Sequence, residues 1–124
     1  MVMLSGIVQA GFPSPAEEEL SDLLSLDEFL ISKPSASFLL KVSGDSMIQA
    51  GIFPGDFVVA ERGRSPKKGD IVIAQIDGEW TMKYYEKQGE KIVLRAANKK
   101  YATLIPQKEL SVAAVVIASF RKYR

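Results

Sequence analysis

The sequence of 124 residues contains neither cysteine nor histidine, and each absence excludes a class of chemistry. Without cysteine the chain forms no disulfide, has no thiol nucleophile and offers no thiolate to a metal ion. Without histidine it has no Ser-His-Asp triad, no HExxH zinc site and no imidazole base. We therefore expect no metal site, and any acid–base chemistry must come from a carboxylate, a lysine or a tyrosine.

The sequence also lacks a large excess of charge of one sign and lacks long apolar runs. The 16 Lys and Arg residues nearly balance the 15 Asp and Glu residues, which argues against a protein built to bind nucleic-acid backbones. No apolar stretch reaches the length of about 18 residues that a membrane span needs. The apolar segment 1–10 lacks the basic region of a signal peptide. We therefore expect a cytoplasmic protein with no membrane contact.

The chain divides into an N-terminal arm, residues 1–33, and a body, residues 34–124. The arm segment 11–15 contains two prolines, which exclude a regular helix and favour an extended backbone. A Ser-x-x-Glu capping box that begins at Ser25 predicts a short helix over 26–31. The arm is therefore expected to be partly extended and partly helical.

The body has the pattern of a mostly β domain. Apolar or alternating segments separated by tight turns predict strands at 38–42, 57–60, 71–76, 79–86, 92–96 and 112–120. The Asp77-Gly78 pair is a strong hairpin signal between the third and fourth of them. The last strand is apolar on both faces, so we expect part of it to lie in a core or a subunit interface. These features indicate a curled, mostly antiparallel sheet.

A first candidate site is the turn Ser43-Gly44-Asp45-Ser46-Met47, which directly follows a predicted strand. Small residues around one serine permit a tight turn that exposes the hydroxyl. Such a turn also aims backbone N–H groups at one point, as an oxyanion hole requires. Taken alone, the segment is more typical of a surface turn in which serine and aspartate cap backbone groups.

A second candidate is Lys83, which shares one face of a predicted strand with Thr81. Taken alone, it is more typical of an exposed lysine on an edge strand. In a chain without histidine, however, a serine nucleophile needs another base, and a lysine serves only when it is neutral. Burial against methionine and aromatic side chains would lower its pKa by desolvation. Thr81 would then hold and orient the amine by a hydrogen bond.

A third candidate is the Ala10-Gly11 pair in the arm. Two small residues in an extended segment bounded by proline would form an accessible scissile bond, although a flexible terminus is the alternative. Asp45 is interpreted as a turn residue rather than a third catalytic group. The basic residues Lys99-Lys100 and the segment 121–124 are predicted to lie on the solvated surface.

Together these segments resemble the LexA/UmuD family of self-cleaving Ser-Lys peptidases. The matching stretches are Gln9-Ala10-Gly11-Phe12-Pro13-Ser14-Pro15, Ser43-Gly44-Asp45-Ser46-Met47-Ile48, Gly69-Asp70-Ile71-Val72-Ile73-Ala74 and Asp77-Gly78-Glu79-Trp80-Thr81-Met82-Lys83. Several ordered motifs are far more specific than any one of them. The resemblance extends from about residue 7 to the C-terminal strand and tail.

The resemblance implies a role for each matching residue. Ser46 would be the nucleophile, and Lys83 would be the general base that later donates a proton to the leaving amine. The backbone N–H groups of Asp45 and Ser46 would form the oxyanion hole. The bond between Ala10 and Gly11 would be cut, and no cofactor is implied.

The resemblance also implies a fold and partners. The fold would be the family's LexA/signal-peptidase-like catalytic domain of curled antiparallel sheets, and the protein would be a homodimer. RecA filaments on single-stranded DNA would stimulate self-cleavage in the SOS response. The processed dimer would be an accessory subunit of an error-prone translesion DNA polymerase, with a UmuC-type Y-family polymerase as partner. Ten residues before the cut cannot hold a helix-turn-helix domain, so we expect neither a LexA-type repressor nor sequence-specific nucleic-acid binding.

Two other functions are compatible with the sequence. In the first, the chain is a non-catalytic dimeric module that regulates a polymerase or RecA and carries a vestigial pair, Ser46 and Lys83. A chain that stays intact at alkaline pH would favour this module. In the second, it is a small β-barrel that binds RNA or DNA, which the balanced charge and the lack of a basic, aromatic stripe make the weaker alternative.

Overall fold

The chain folds as two compact units, Met1–Ser32 and Lys33–Arg124. The computed structural model describes residues 1–4, 7–8, 10–11 and 22–124. Within these ranges no helix has the length and apolar character needed to cross a membrane.

The N-terminal unit contains a two-stranded antiparallel sheet. Strand β1, Val2–Leu4, pairs with strand β2, Asp22–Leu24. Sequence analysis predicted neither strand, because a strand of three residues is too short to show an alternating pattern. The extended backbone predicted for 11–15 lies, apart from Gly11, outside the described residues.

The capping box predicted in the arm does begin a helix. Helix α1 spans Leu26–Leu30, and the Ser25 hydroxyl accepts the backbone N–H of Glu28 at 3.5 Å. Asp27 and Glu28 lie in the first turn, where the helix dipole favours negative charge. The helix ends at Ile31, which has extended backbone angles as the C-cap.

The body is built on one antiparallel sheet of six strands, which confirms the predicted mostly β fold. The strands are β3 (Ser37–Lys41), β4 (Phe57–Glu61), β5 (Ile71–Ile76), β6 (Glu79–Gln88), β7 (Lys91–Arg95) and β8 (Leu110–Phe120). Their order across the sheet is β3-β4-β8-β5-β6-β7. Single turns of 3₁₀ helix lie at Pro34–Ala36 and Ile48–Ala50. The strand that is apolar on both faces, β8, is interior in this order, and its residues Ala114 and Val115 are buried, so part of it lies in a core as its pattern predicted.

The Asp77-Gly78 turn closes the hairpin between β5 and β6. Both residues have positive φ, 47° and 89°, as a tight hairpin turn of the primed type requires. The Asp77 carboxylate also accepts the backbone N–H groups of Gln107, Lys108 and Glu109, at 3.0, 2.7 and 3.0 Å. These three hydrogen bonds lower the pKa of Asp77 and attach the hairpin to the segment that leads into β8.

The apolar residues of the body form two buried clusters. The first comprises Val72, Ala74, Ile76, Leu94 and Val115. The second, here called the Met47 cluster, comprises Met47, Ile52, Val58 and Ala97. Met47 directly follows the candidate nucleophile Ser46 in the chain, so this cluster lies next to the candidate site.

Candidate active site

Ser46 and Lys83 meet in the body although 37 residues separate them in the sequence. Ser46 lies in the loop after β3, and Lys83 lies in the middle of β6. The distance from Lys83 Nζ to Ser46 Oγ is 3.0 Å. Nζ also donates a short hydrogen bond to the hydroxyl of Thr81, two residues earlier on the same strand. The structure thus brings three of the predicted site residues together.

Strand register determines what surrounds the Lys83 amine. In the β5–β6 hairpin, Lys83 lies opposite Val72, and Thr81 lies opposite Ala74. Val72 and Ala74 are fully buried. Because directly opposite residues in an antiparallel pair share a face of the sheet, the stem of Lys83 projects beside aliphatic side chains.

Of the methionine and aromatic neighbours along β6, Tyr85 shares the face of Lys83 and packs against the cluster that contains Val72, whereas two others project to the opposite face. Met82 and Tyr84 alternate with Lys83 along β6 and pack against the Met47 cluster. The cross-strand neighbour that the register gives to Lys83 is the aliphatic Val72. Aliphatic burial has the same electrostatic consequence, because it also removes water from the amine.

Burial lowers the pKa of Lys83. The residue is only 9% exposed, and loss of hydration disfavours its charged form. No ion pair among the described residues offers the amine a carboxylate that would restore the charge. The direction of the shift is the one that a lysine base requires.

The loop that carries Ser46 is anchored by its next residue. Met47 is 1% exposed and lies in the core with the other members of its cluster. The 3₁₀ turn Ile48–Ala50 follows and ends at Gly51, whose φ of 81° is accessible to glycine without strain. Ser46 itself is half-buried, between this anchor and the exposed residues 43–44.

A second loop, residues 98–101, is hydrogen-bonded to the serine loop. The Asn98 amide donates to the backbone carbonyl of Asp45 at 2.8 Å. The Asp45 carboxylate accepts hydrogen bonds from the Tyr101 hydroxyl and, at 3.1 Å, from the Lys100 ammonium. These two partners lower the pKa of Asp45, so the carboxylate stays ionised. Sequence analysis missed this contact, because no local pattern relates position 45 to a loop more than fifty residues later.

Two backbone N–H groups at the serine have no acceptor in another described residue. Within the part of the chain that the structure describes, the Ser46 N–H donates no hydrogen bond, and the Asp45 N–H contacts only the carboxylate of its own residue. These are the groups that the sequence resemblance assigns to an oxyanion hole. Free N–H groups beside a nucleophile are suited to a developing negative charge.

An ion pair connects the loop that carries Ser46 to the segment that follows β8. Arg121 donates to both carboxylate oxygens of Asp56, at 2.7 and 2.8 Å, and to the Gly51 carbonyl at 3.1 Å. Asp56 is 4% exposed, and the Arg121 guanidinium lowers its pKa to about 2. Sequence analysis predicted Arg121 on the surface, where its side chain is indeed 37% exposed, but did not find its ion pair. Its partner lies 65 residues away, so no local pattern shows the pairing.

An open groove of about 310 Å³ borders the candidate site. It runs between the end of β3 and the start of β6, and Thr81 belongs to its wall. Apolar side chains, among them Leu40, Trp80 and Met82, line much of it. Trp80 is 64% exposed, which is unusual for so large an aromatic side chain on the surface of a monomeric protein.

The predicted scissile residues lie in the other unit. Ala10 and Gly11 are both exposed and form a bend. Their exposure is what a protease-accessible bond requires, since a buried peptide cannot enter another site without unfolding.

Comparison with known proteins identifies relatives of this chain. The model of the Peptidase S24-like family matches residues 2–117. The chain is 41% identical over 115 residues to Protein SamA of Salmonella typhimurium, across 93% of this chain and 81% of SamA. It is 53% identical over 75 residues to Protein ImpA of Escherichia coli, across 60% of this chain and 52% of ImpA. It is 40% identical over 124 residues to the LexA repressor of Verrucomicrobium spinosum, across 98% of this chain and 61% of that repressor.

The similarity therefore spans most of SamA, about half of ImpA and about three fifths of the LexA repressor. The family match covers nearly the whole chain and includes both segments that form the candidate site. The resemblance found in the sequence is confirmed at the level of the family. From the family match and the SamA identity together, this chain belongs to the Peptidase S24-like family, the LexA/UmuD family.

Proposed function

We propose that this protein is a serine-lysine autopeptidase that cuts its own arm between Ala10 and Gly11. The observation that supports it most directly is the 3.0 Å contact between Ser46 Oγ and the amine of Lys83, a residue only 9% exposed. The Peptidase S24 family includes self-cleaving serine peptidases. The chain's lack of histidine leaves the lysine as the base beside the hydroxyl.

Lys83 acts as the general base in this mechanism. When charged, its amine donates to Ser46; when neutral, its lone pair accepts the hydroxyl proton as Oγ attacks the carbonyl carbon of Ala10. Burial favours the neutral form. The Thr81 hydroxyl accepts one N–H of the amine and so orients the lone pair toward Ser46.

The proton and the bonds balance over two steps. Collapse of the first tetrahedral intermediate breaks the C–N bond, and Lys83 returns the proton to the departing amine of Gly11. Ser46 then carries the acyl group of Ala10 as an ester. Lys83 takes a proton from water, which attacks the ester, and the free serine is regenerated when that proton passes back to Oγ.

The oxyanion of each intermediate is stabilised by backbone donors. The N–H groups of Asp45 and Ser46, which have no acceptor in another described residue, supply hydrogen bonds that form as the carbonyl oxygen becomes negative. The apolar groove beside Thr81 accommodates the segment around the scissile bond, whose residues include Phe12. Cleavage of the chain's own arm and of a dimer partner's arm both fit this scheme.

Incubation across roughly pH 7 to 10 tests the proposal, because that range changes the neutral fraction of a lysine. We expect the first ten residues to be lost at a rate that rises with pH and levels off once Lys83 is neutral. Intact-mass spectrometry of the wild type, Ser46→Ala and Lys83→Ala measures this loss. Lys87→Ala is a matched control, since Lys87 is an exposed lysine of the same strand. Equal cleavage in all four chains would refute the mechanism.

We further propose a role in the SOS response. RecA filaments on single-stranded DNA stimulate the cleavage, and the processed homodimer serves as an accessory subunit of an error-prone translesion polymerase of the UmuC-type Y family. Family membership and the 40% identity to a LexA repressor support this role. Adding RecA filaments should accelerate arm loss in the wild type and leave Ser46→Ala uncut. Light scattering should give the mass of a dimer before and after cleavage; a monomer would contradict the assembly.

A further inference from the structure

We infer that Asn98 is a positioning residue for the oxyanion hole, an inference that rests on the proposed function. Its side-chain amide donates to the Asp45 carbonyl at 2.8 Å, across 53 residues of sequence. The other hydrogen bond to that carbonyl comes from the backbone N–H of Ile48 at a long 3.4 Å. Asn98 therefore makes the dominant contact with this carbonyl.

The geometry of a peptide bond connects this contact to the serine. The Asp45 carbonyl and the Ser46 N–H belong to one planar trans peptide unit, in which the two groups point in opposite directions. A hydrogen bond that fixes the direction of the carbonyl therefore fixes the direction of the N–H. That N–H has no acceptor within the described residues, so its aim is set by the carbonyl on the other edge of the plane.

The same hydrogen bond also makes the N–H a stronger donor. A carbonyl that accepts a hydrogen bond polarises its peptide unit, and successive hydrogen bonds through one unit reinforce each other. Oxyanion stabilisation depends on donors that are already aimed before the charge develops. Asn98 would thus both aim and strengthen the Ser46 donor.

Asn98 is itself held in one orientation. Its side-chain oxygen accepts the backbone N–H of Lys100 at 3.0 Å, which turns the amide nitrogen toward Asp45. The loop is also attached independently of this side chain, because the Ala97 carbonyl accepts the backbone N–H of Gln49 at 2.7 Å. Loss of the Asn98 side chain should therefore release the peptide plane and leave the two loops together.

The hydrogen bonds of the Asn98 side chain do not involve the proposed nucleophile and base. In the described structure they reach the Asp45 carbonyl and the Lys100 N–H, and neither Ser46 Oγ nor the Lys83 amine. A defect at Asn98 should therefore slow the reaction without changing the pH at which the base becomes neutral. A disturbance of the lysine would change both.

The test compares arm removal over a range of pH in the wild type, Ser46→Ala, Asn98→Ala and Asn98→Asp. Asn98→Asp keeps an acceptor for the Lys100 N–H and loses the donor to Asp45. We expect both Asn98 variants to lower the plateau rate at alkaline pH roughly ten- to a hundredfold, since an oxyanion donor is misaimed rather than deleted. Asn98→Ala should keep the wild-type pH midpoint. Lys99→Ala, an exposed neighbour in the loop, is the matched control and should cleave like the wild type.

A second readout does not depend on cleavage. The ¹⁵N resonance of the Ser46 amide should move in Asn98→Ala and stay in Lys99→Ala, because the preceding carbonyl loses its hydrogen bond only in the first. Unchanged amide resonances elsewhere would show that Asn98→Ala is folded. If Asn98→Ala does not fold, the Ser46 amide resonance is measured in Asn98→Asp instead.

The outcomes separate this inference from the proposed function. If the wild type shows Ser46-dependent cleavage and Asn98→Ala cleaves within twofold of it, the inference is wrong and the autopeptidase stands. A shifted pH midpoint in Asn98→Ala also overturns the inference, because the residue would then act through Lys83. If the wild type is not cut, the autopeptidase fails. In that case the Ser46 resonance alone decides whether Asn98 controls this peptide.

Discussion

The Lys83 amine is both the proposed base and a source of instability. Its burial lowers its pKa, and no carboxylate among the described ion pairs compensates its charge. Asp56, which is also buried, has Arg121 as a counter-ion and keeps its charge. The contrast shows two kinds of buried ionisable group: a carboxylate whose charge is stabilised by an arginine, and an amine whose pKa is lowered by burial.

Replacing Lys83 with Met should stabilise the protein at neutral pH. The folded-state pKa lies below the ordinary value of 10.5, so between the two the unfolded chain holds more protons and stability rises with pH. The penalty is full below the folded pKa and disappears above the unfolded pKa. We expect Lys83→Met to gain on the order of 1 kcal/mol at about pH 7, with the gain shrinking toward the ordinary pKa of lysine.

Urea unfolding of the wild type and Lys83→Met, at about pH 7 and again near the ordinary lysine pKa of 10.5, measures this gain. Lys87→Met, at an exposed position of the same strand, should show no such pH-dependent difference. A gain of Lys83→Met that is the same at both pH values would contradict the electrostatic explanation.

Thr81→Val should slow cleavage by about tenfold or more, because the amine loses the hydroxyl that orients it while the side-chain shape is kept. Thr81→Ser retains the hydroxyl and should recover most of the rate. The measurement is the rate of arm loss at alkaline pH. Equal rates for Thr81→Val and the wild type would show that the strand alone positions the amine.

Individual strands were largely predictable, whereas contacts between loops were not. Strand β5 has the predicted bounds, Ile71–Ile76, because turn residues mark both of its ends. Strand β8 begins two residues before its predicted start at 112, where no glycine or proline marks the boundary. The 98–101 loop has a composition typical of exposed turns, and only its contact with Asp45 shows its importance.

The ion pair between Asp56 and Arg121 should set the acid stability of the elements it joins. With a folded pKa of about 2 against an ordinary 3.8, Asp56 contributes stability that is complete above 3.8 and is lost as the pH falls toward 2. In Arg121→Gln the pKa of Asp56 rises toward its ordinary value. We expect this variant to be less stable at neutral pH and to begin acid unfolding at a higher pH.

Thermal unfolding between about pH 7 and 2 checks this expectation, since that range covers the titration of a carboxyl group. Lys122→Gln removes an adjacent positive charge and is the control. Identical acid-unfolding curves for Arg121→Gln and Lys122→Gln would exclude a specific role for the pair.

The buried core of the described residues lies in the body and not in the arm. Among the residues whose burial is described, every buried hydrophobic side chain lies between Met47 and Val115. The buried charged residues Asp56, Glu61 and Lys83 lie in the same range. A cut between residues 10 and 11 therefore removes none of the described core.

The processed protein should consequently be as stable as the uncut one. We expect the two melting temperatures to differ by less than about 3 °C, which corresponds to a change in unfolding free energy of less than about 1 kcal/mol for a domain of this size. Calorimetry of the cleaved wild type beside uncut Ser46→Ala gives the comparison. A large fall in Tm after cleavage would show that the arm contributes to the stability of the body.

The sequence by itself determined the mostly β fold, the family and the kinds of chemistry available. Composition excludes histidine and cysteine chemistry, while alternation and turn residues are local properties that a chain displays before it folds. Only the tertiary structure decided which distant polar groups meet. Lys83 reaches Ser46 across 37 residues and Asn98 reaches Asp45 across 53, and both contacts depend on strand register and loop packing. Those are set by the burial of the whole sheet, which no short segment of sequence records.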